Sequence, residues 1–292
     1  MKIVQSYWSK PYEKSNVDGR MGGWCTKMFH YMSCAFSCLK LAERYPVELV
    51  TDRRGKDIFL DKIGLPFHTV KDELENIDYP TDLWAVAKII TYALQTEPFL
   101  HVDNDVFIWS EFPESIEKSN LAVQSIEESY AHNTVYTQDI IDKFDYVPEV
   151  ILQQKENRSV MDSINAGIIG GNNLPFIHDY AREAIRFIER NLKKLNALDN
   201  LKGFNLIFEQ CLFYHMARQR GEEIVCLLNE KMNLEYKELV RFWDAPRFRG
   251  YIHAISTYKE HYIIGEQTAQ RLWYEYPEYF YRIQELIKKN AI

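Results

Sequence analysis

The sequence predicts an α/β protein with a mostly parallel central sheet flanked by helices. Short apolar runs of strand length alternate with segments whose apolar residues recur at helical spacing. The first such triplet, strand–helix–strand, joins two strands through a helical crossover, which is how parallel neighbours are connected. Polar or glycine-rich turns close the apolar runs.

Residues 2–9 (KIVQSYWS) read as the first strand, and 10–23, with Pro11, Gly19, Gly22 and Gly23, as a loop. From Cys25 to Arg44 the positions Met28, Met32, Ala35, Phe36, Leu39 and Ala42 mark one helical face, and Pro46 ends it. Val47 to Asp52 is a strand closed by Asp52-Arg53-Arg54-Gly55. A short helix is expected over 56–63 and a short strand over 66–70. Thr81 or Asp82 can cap a helix over 83–95, and Pro98 separates it from the apolar strand Phe99-Leu100-His101-Val102. Further strands are expected at 121–124, at 164–171 with close-approach glycines, and at 251–258. Helices are expected at 175–194, at 203–219, and from Ala269 to Lys289 with an interruption at Pro277. With no internal repeat and no linker-like tract, the expectation is one domain over 1–292, with 265–292 as a C-terminal helical extension.

A hydrophobic fraction of 46% suffices for a sizeable core, and the formal charge of −7 argues against a general nucleic-acid binder, which needs a basic field. No stretch approaches the length of a membrane span. Lys2 runs directly into Ile3-Val4, which reads as a strand rather than as the apolar core of a leader. Five cysteines, at 25, 34, 38, 211 and 226, show no metal-ligand spacing. They read as buried reduced thiols, which suits a cytoplasmic setting. The 19 Tyr, 16 Phe and 6 Trp mostly fill a core, and exposed ones offer stacking surfaces for sugars.

Four patterns could carry chemistry. Asp103-Asn104-Asp105 ends an apolar strand, where ligands bind in open α/β sheets. Two carboxylates two residues apart can both turn to one hard cation and bridge it to a diphosphate. An EF-hand is set aside, because its sixth loop position is Ile108 rather than Gly. Asn165-Ala166-Gly167 puts a glycine on a strand, where a ligand can come close to the backbone. Glu209-Gln210 lies early in an apolar helical run. His253 and Lys259 stand six residues apart near a late strand end, one a possible metal ligand and the other a point charge for phosphate. Lys88, one turn after Trp84 on the helix before the Asp-x-Asp strand, could also reach a diphosphate. Taken singly, each pattern also has an ordinary reading as a turn, a bulge or a solvated helix face.

In this order, the patterns resemble the GT-A (Rossmann-like) glycosyltransferases, and are most similar to the retaining family 8 type, the glycogenin and galactosyltransferase-like group. That group shows an apolar strand ending in Asp-x-Asp, then Asn-Ala-Gly, an acid–Gln pair, and a His followed six residues later by Lys. The resemblance implies that Asp103, Asp105 and His253 hold Mn²⁺ or Mg²⁺, and that Lys259, with Lys88, binds the diphosphate. It implies that Asn104, Asn165 and Gly167 contact the donor, that Gln210 sits near the anomeric carbon, and that Glu209 hydrogen-bonds sugar hydroxyls. Tyr7, with Gln5 and Ser6, and Asp52 would line the base and ribose. The partners implied are a nucleotide-sugar donor, UDP-linked by the resemblance, and a carbohydrate or other hydroxyl acceptor. Ser256 stands where the group has Gly, Glu260-His261 where it has Pro-Trp, and Glu209 where it has Asp. Two other readings compete: a sugar nucleotidyltransferase, which would need a Gly-rich basic loop after the first strand, and a non-catalytic carbohydrate-binding protein. If the reaction inverts, Glu209 or Asp244 would be the base.

Overall fold

The computed structural model describes residues 1–14, 20–128, 131–157, 161–228 and 236–292. Parts of the segments 10–23, 125–160 and 223–249 therefore lie outside the described residues, among them Gly19. Among the described residues there are nine strands: β1 Lys2–Tyr7, β2 Val47–Thr51, β3 Thr69–Lys71, β4 Phe99–Val102, β5 Val106–Ile108, β6 Leu121–Glu127, β7 Ser163–Gly171, β8 Ile224–Cys226 and β9 Tyr251–His253. They form a mostly parallel seven-stranded sheet, in the order β3-β2-β1-β4-β7-β6-β8, and a two-stranded ribbon of β5 with β9. Helices flank the sheet, so the α/β expectation holds. The chain packs as two compact units, one built from residues 2–77, 102–111 and 234–292, the other mainly from 78–101 and 112–233.

The β1 unit begins with the anticipated strand–helix–strand. β1 pairs in parallel with β2, from Ile3↔Val47 to Tyr7↔Thr51, and β2 with β3. The helix between them, Lys27–Ala42, starts where the Thr26 hydroxyl accepts the Phe29 N–H at 3.1 Å. Every residue from Phe29 to Leu41 is buried. Phe36 meets Phe107 with ring centroids 5.0 Å apart, and Phe107 meets Phe242 at 5.8 Å. The expected loop at 10–23 instead opens with a short helix, Ser9–Lys14. Pro11 is tolerated there because the first turn of a helix needs no N–H donor. The expected helix over 56–63 begins earlier, at Arg53, with a Lys56-ending turn that continues as a π-helix over Asp57–Lys62. The chain closes with helices Tyr262–Glu275 and Pro277–Lys288, parted at Pro277 as anticipated.

The other unit, here called the β7 unit, carries β7 antiparallel to β6, with a bulge between Val123 and Ser125, and β8 parallel to β6. Its core is a file of edge-to-face rings: Phe144 on Phe204 at 5.1 Å, Phe187 on Phe204 at 4.9 Å and Phe204 on Phe208 at 5.0 Å. The helix expected over 83–95 spans Val86–Ala93, and neither Thr81 nor Asp82 caps it. Two reverse turns intervene instead, Leu83 N to Pro80 O and Val86 N to Leu83 O. Residues 201–220 form one helical run whose middle turn, Ile207–Cys211, is π-helical.

At the end of β7 the close-approach glycines are used as such. Gly170 has φ +157°, and a Cβ there would lie 2.1 Å from the Phe99 carbonyl oxygen. No side chain can relieve a clash with backbone. Gly170→Ala is therefore expected to cost at least about 2 kcal/mol in urea unfolding. An unchanged midpoint would contradict this packing.

Candidate metal centre

The centre is built in the β1 unit from segments distant in sequence. β4 ends at Val102, and Asp103 to Asp105 form the turn into β5. The turn's backbone is tied on several sides. Ser37 Oγ donates to Asp103 O (3.3 Å), Ser33 Oγ to Asn104 O (3.0 Å), and Asn104 Nδ2 to Ser6 O (2.8 Å). Ser33 and Ser37 are one helical turn apart, so a single helix face holds two successive carbonyls. Asn104 thus acts on β1 through its side chain.

His253 arrives by strand pairing. β5 and β9 run antiparallel with Val106 opposite His253, and Ala254 N donates to Asp105 O at 2.9 Å. One ligand atom each from Asp103, Asp105 and His253 then falls within 4.8 Å of the others. Asp105 Oδ1 is buried and has no hydrogen bond, with His253 Nε2 3.4 Å away. Oδ2 accepts from Lys259 Nζ at 2.5 Å. Two carboxylates and an imidazole are the hard-to-borderline donor set that suits Mg²⁺ or Mn²⁺, and a buried carboxylate oxygen lacking a hydrogen bond fits a ligand atom.

Lys259 lies in a 3₁₀ turn over Ser256–Glu260. Ser256 has φ +51°, the left-handed region. The glycine of the resembling group is missing from the sequence, yet the backbone shape that a glycine permits is kept, at about 1 kcal/mol of strain. The strand expected to reach Tyr258 stops at His253 because this turn follows.

Around the carboxylates, titration is suppressed. Burial raises Asp105, but the charges of Lys259 and His253 outweigh it and hold the carboxyl well below its usual range. Burial, then the nearby Asp103 and Asp105, raises Tyr251. Burial, with Cys34, Asp105 and Asp103, raises Tyr12. His30 is brought down to about 3 by burial and by Lys259. Its Nε2 faces Tyr7 Oη at 3.4 Å, and its ring lies 4.7 Å from Tyr12. Sequence reasoning missed Tyr12 and His30. The available signal was His30 one turn before Cys34 on a helix that is otherwise largely apolar.

Tyr7 is buried, its ring stacked on Tyr12 at 4.8 Å. Both line a cavity of about 260 Å³ with Ser9, Tyr31, Lys27 and Arg54. Asp52 caps the helix after β2: its Oδ1 accepts Gly55 N at 2.8 Å and its Oδ2 accepts Ser9 N at 2.7 Å. All five cysteines are free thiols, Cys34, Cys38 and Cys211 buried and the others half-buried.

The remaining expected residues lie in the β7 unit and form a cluster of their own. Glu209, wholly buried on the π-helical turn, pairs with Lys88 Nζ at 2.5 Å and accepts from Tyr92 Oη at 3.3 Å. Lys88 also donates to Ala166 O at 3.5 Å. Asn165 Nδ2 donates to Glu127 at 2.8 Å, and Asn165 Oδ1 accepts Gly167 N at 3.0 Å, which fixes the amide. Gln210 is half-buried beside Glu209. Removing one partner of a buried pair such as Lys88–Glu209 typically costs 3–5 kcal/mol, so Lys88 here holds a carboxylate rather than facing water.

The family described as a family of unknown function (DUF6734) matches residues 1–286, and the chain belongs to it. No curated protein matches it in sequence. Among solved structures it is similar to the glycosyltransferase GlyE of Streptococcus pneumoniae TIGR4, with a TM-score of 0.44 and 11% identity over 99% of this chain and 63% of that one. It is also similar to mouse xyloside xylosyltransferase 1 in its apo form, with a TM-score of 0.39 and 10% identity over 77% of this chain and 84% of that one. The chain thus spans 63% of the length of the GlyE chain. Both scores are low, so the chemistry proposed below rests on this chain's own residues.

The neutral His30 has a pH consequence. Its folded pKa, about 3, lies below the ordinary value of 6.5. Between those limits the unfolded chain takes up a proton that the folded chain does not, so stability falls as pH falls from about 6.5. Between pH 7 and pH 5, wild type is expected to lose up to about 2 kcal/mol more than His30→Gln in urea titrations. Equal losses would contradict a buried neutral imidazole.

Proposed function

We propose that this chain is a metal-dependent glycosyltransferase that moves a sugar, with retention, from a nucleoside diphosphate sugar, UDP-linked by the sequence resemblance, to an acceptor hydroxyl. One observation carries the reading: His253 and Lys259, six residues apart and far along the chain from the Asp-x-Asp turn, both reach Asp105. The ordered motifs of the sequence supply the rest.

Asp103, Asp105 and His253 would hold Mn²⁺ or Mg²⁺. A divalent ion held there would supply positive charge to offset that of a departing diphosphate. Lys259 adds a mobile ammonium for the same phosphates. The cavity beside Tyr7 and Tyr12 offers aromatic faces for a base, and it is also lined by Lys27, Glu13 and Arg54, the last two paired at 3.6 Å. Burial, with contributions from Cys34 and both carboxylates, raises Tyr12, which supports pairing this cavity with the centre.

In the transfer, the bond from the anomeric carbon to the diphosphate oxygen breaks. The acceptor oxygen bonds to that carbon on the same face, and its proton passes to the departing oxygen. No side-chain base is needed. Both acids that could serve as a base in an inverting reaction are already ion-paired: Glu209 with Lys88, and Asp244 with Arg241 at 2.6 Å. For the β7 unit the assignment of Asn165, Gly167, Glu209 and Gln210 to the sugar follows the resemblance alone. Lys88, which the resemblance gives to the diphosphate, is paired with Glu209 at 2.5 Å.

Thermal denaturation of the full chain tests the reading. UDP with Mn²⁺ should raise the Tm well above either alone, by an amount equivalent to about 2.7 kcal/mol at one hundred times Kd. Asp105→Asn should abolish the metal-dependent part, and His253→Ala should weaken it less because two carboxylates remain. A nucleotide shift indifferent to Mn²⁺ would sink the proposal.

A further inference from the structure

Asp105 has two carboxylate oxygens, and neither faces open water. Oδ2 holds Lys259 Nζ at 2.5 Å and Oδ1 faces His253 Nε2 at 3.4 Å. The Asp105 side chain is only 12% exposed, so the attraction to Lys259 is weakly screened. Any cation that takes this carboxylate works against the Lys259–Asp105 ion pair.

Lys259 is built to give way. Its main chain is fixed: Cys25 N donates to Lys259 O at 3.3 Å, and the left-handed Ser256 starts its turn. Gly23 lies along its stem, where a Cβ would stand 3.5 Å from Lys259 Cε. The four-carbon stem beyond is flexible, and its ammonium is a compact point charge held by Asp105. A change of rotamer is enough to leave Asp105, and the displaced ammonium stays within a stem's length of the carboxylates.

We infer that Lys259 is an internal counter-ion which a divalent cation displaces from Asp105, so that the cation and a diphosphate bind as a coupled pair with the cation leading. The inference rests on the metal-dependent reading above and goes beyond it. A nucleotide alone meets a lysine already engaged by Asp105. A cation alone has to open that pair. Together, the cation takes the carboxylate and the diphosphate takes the ammonium, so each tightens the other. Such coupling is reciprocal by linkage.

Calorimetric titration of the full chain with Mn²⁺, without nucleotide and then with saturating UDP, tests it. Lys259→Met should bind Mn²⁺ alone about tenfold more tightly than wild type, within the usual range of such couplings. It should also lose most of the gain in Mn²⁺ affinity that UDP gives wild type. Lys259→Arg, which keeps the charge, should show no such tightening. Circular dichroism and melting confirm folding, and Lys259→Gln replaces the Met variant if that one is unfolded. If the neutral variants bind Mn²⁺ no more tightly than wild type, the inference is overturned and the centre stands. If neither wild type nor the neutral variants bind Mn²⁺ at all, the centre itself fails, and the inference with it.

Discussion

The pairing of β5 with β9 is the constraint on which the candidate centre depends. A pair of carboxylates at a strand end is a common arrangement and by itself says little. What distinguishes this turn is that Val106 pairs with His253, and Ala254 N with Asp105 O, so a late segment is fixed against an early one by backbone hydrogen bonds. The entropy of ordering His253 is met by the ribbon rather than by a ligand. From His253 the left-handed Ser256 bends the chain so that Lys259 returns to the same carboxylate. Ser33 and Ser37 hold the turn's carbonyls, so the backbone of Asp103 and Asn104 is fixed independently of the side chains.

The surroundings concentrate charge on few groups. Tyr12, Tyr251 and Cys34 sit near the carboxylates, and burial joined to the carboxylate charge raises all three, keeping them protonated. His30 is kept neutral. Asp105 is paired with Lys259, and its other oxygen lies 3.4 Å from His253 Nε2, in a buried setting that screens poorly. Such a setting makes each charge worth more than it would be in water. It also makes the Lys259–Asp105 pair a competitor for any cation, which turns a local salt bridge into a link between two binding events.

Much of this was legible in the sequence. The strand Phe99–Val102 and the carboxylates after it were read from an apolar run and its end, and the spacing of His253 and Lys259 survived as a real proximity. The glycines at the end of β7 were read as close approach, and each faces a backbone carbonyl. Other features were invisible because they depend on contacts that no local pattern encodes. Lys88 and Glu209 meet across a long stretch of chain, and only the fold makes them one buried pair. Asp52, which the resemblance gives to the base and ribose, has both oxygens accepting backbone N–H groups, from Gly55 and Ser9. The π-helical turn under Glu209-Gln210 leaves no periodic mark, because it lies within an otherwise ordinary helical run. Ser256 looked like a departure from the resembling group; its left-handed backbone keeps, at a cost in strain, the shape a glycine adopts freely.

The central claim is that Asp103, Asp105 and His253 form one divalent-cation site. Anomalous diffraction at the manganese edge, from crystals grown with Mn²⁺ and UDP, tests it most directly. The account predicts a single strong peak coordinated by all three residues, lost in Asp105→Asn. A peak elsewhere, or one at the carboxylates that leaves His253 uncoordinated, would contradict it.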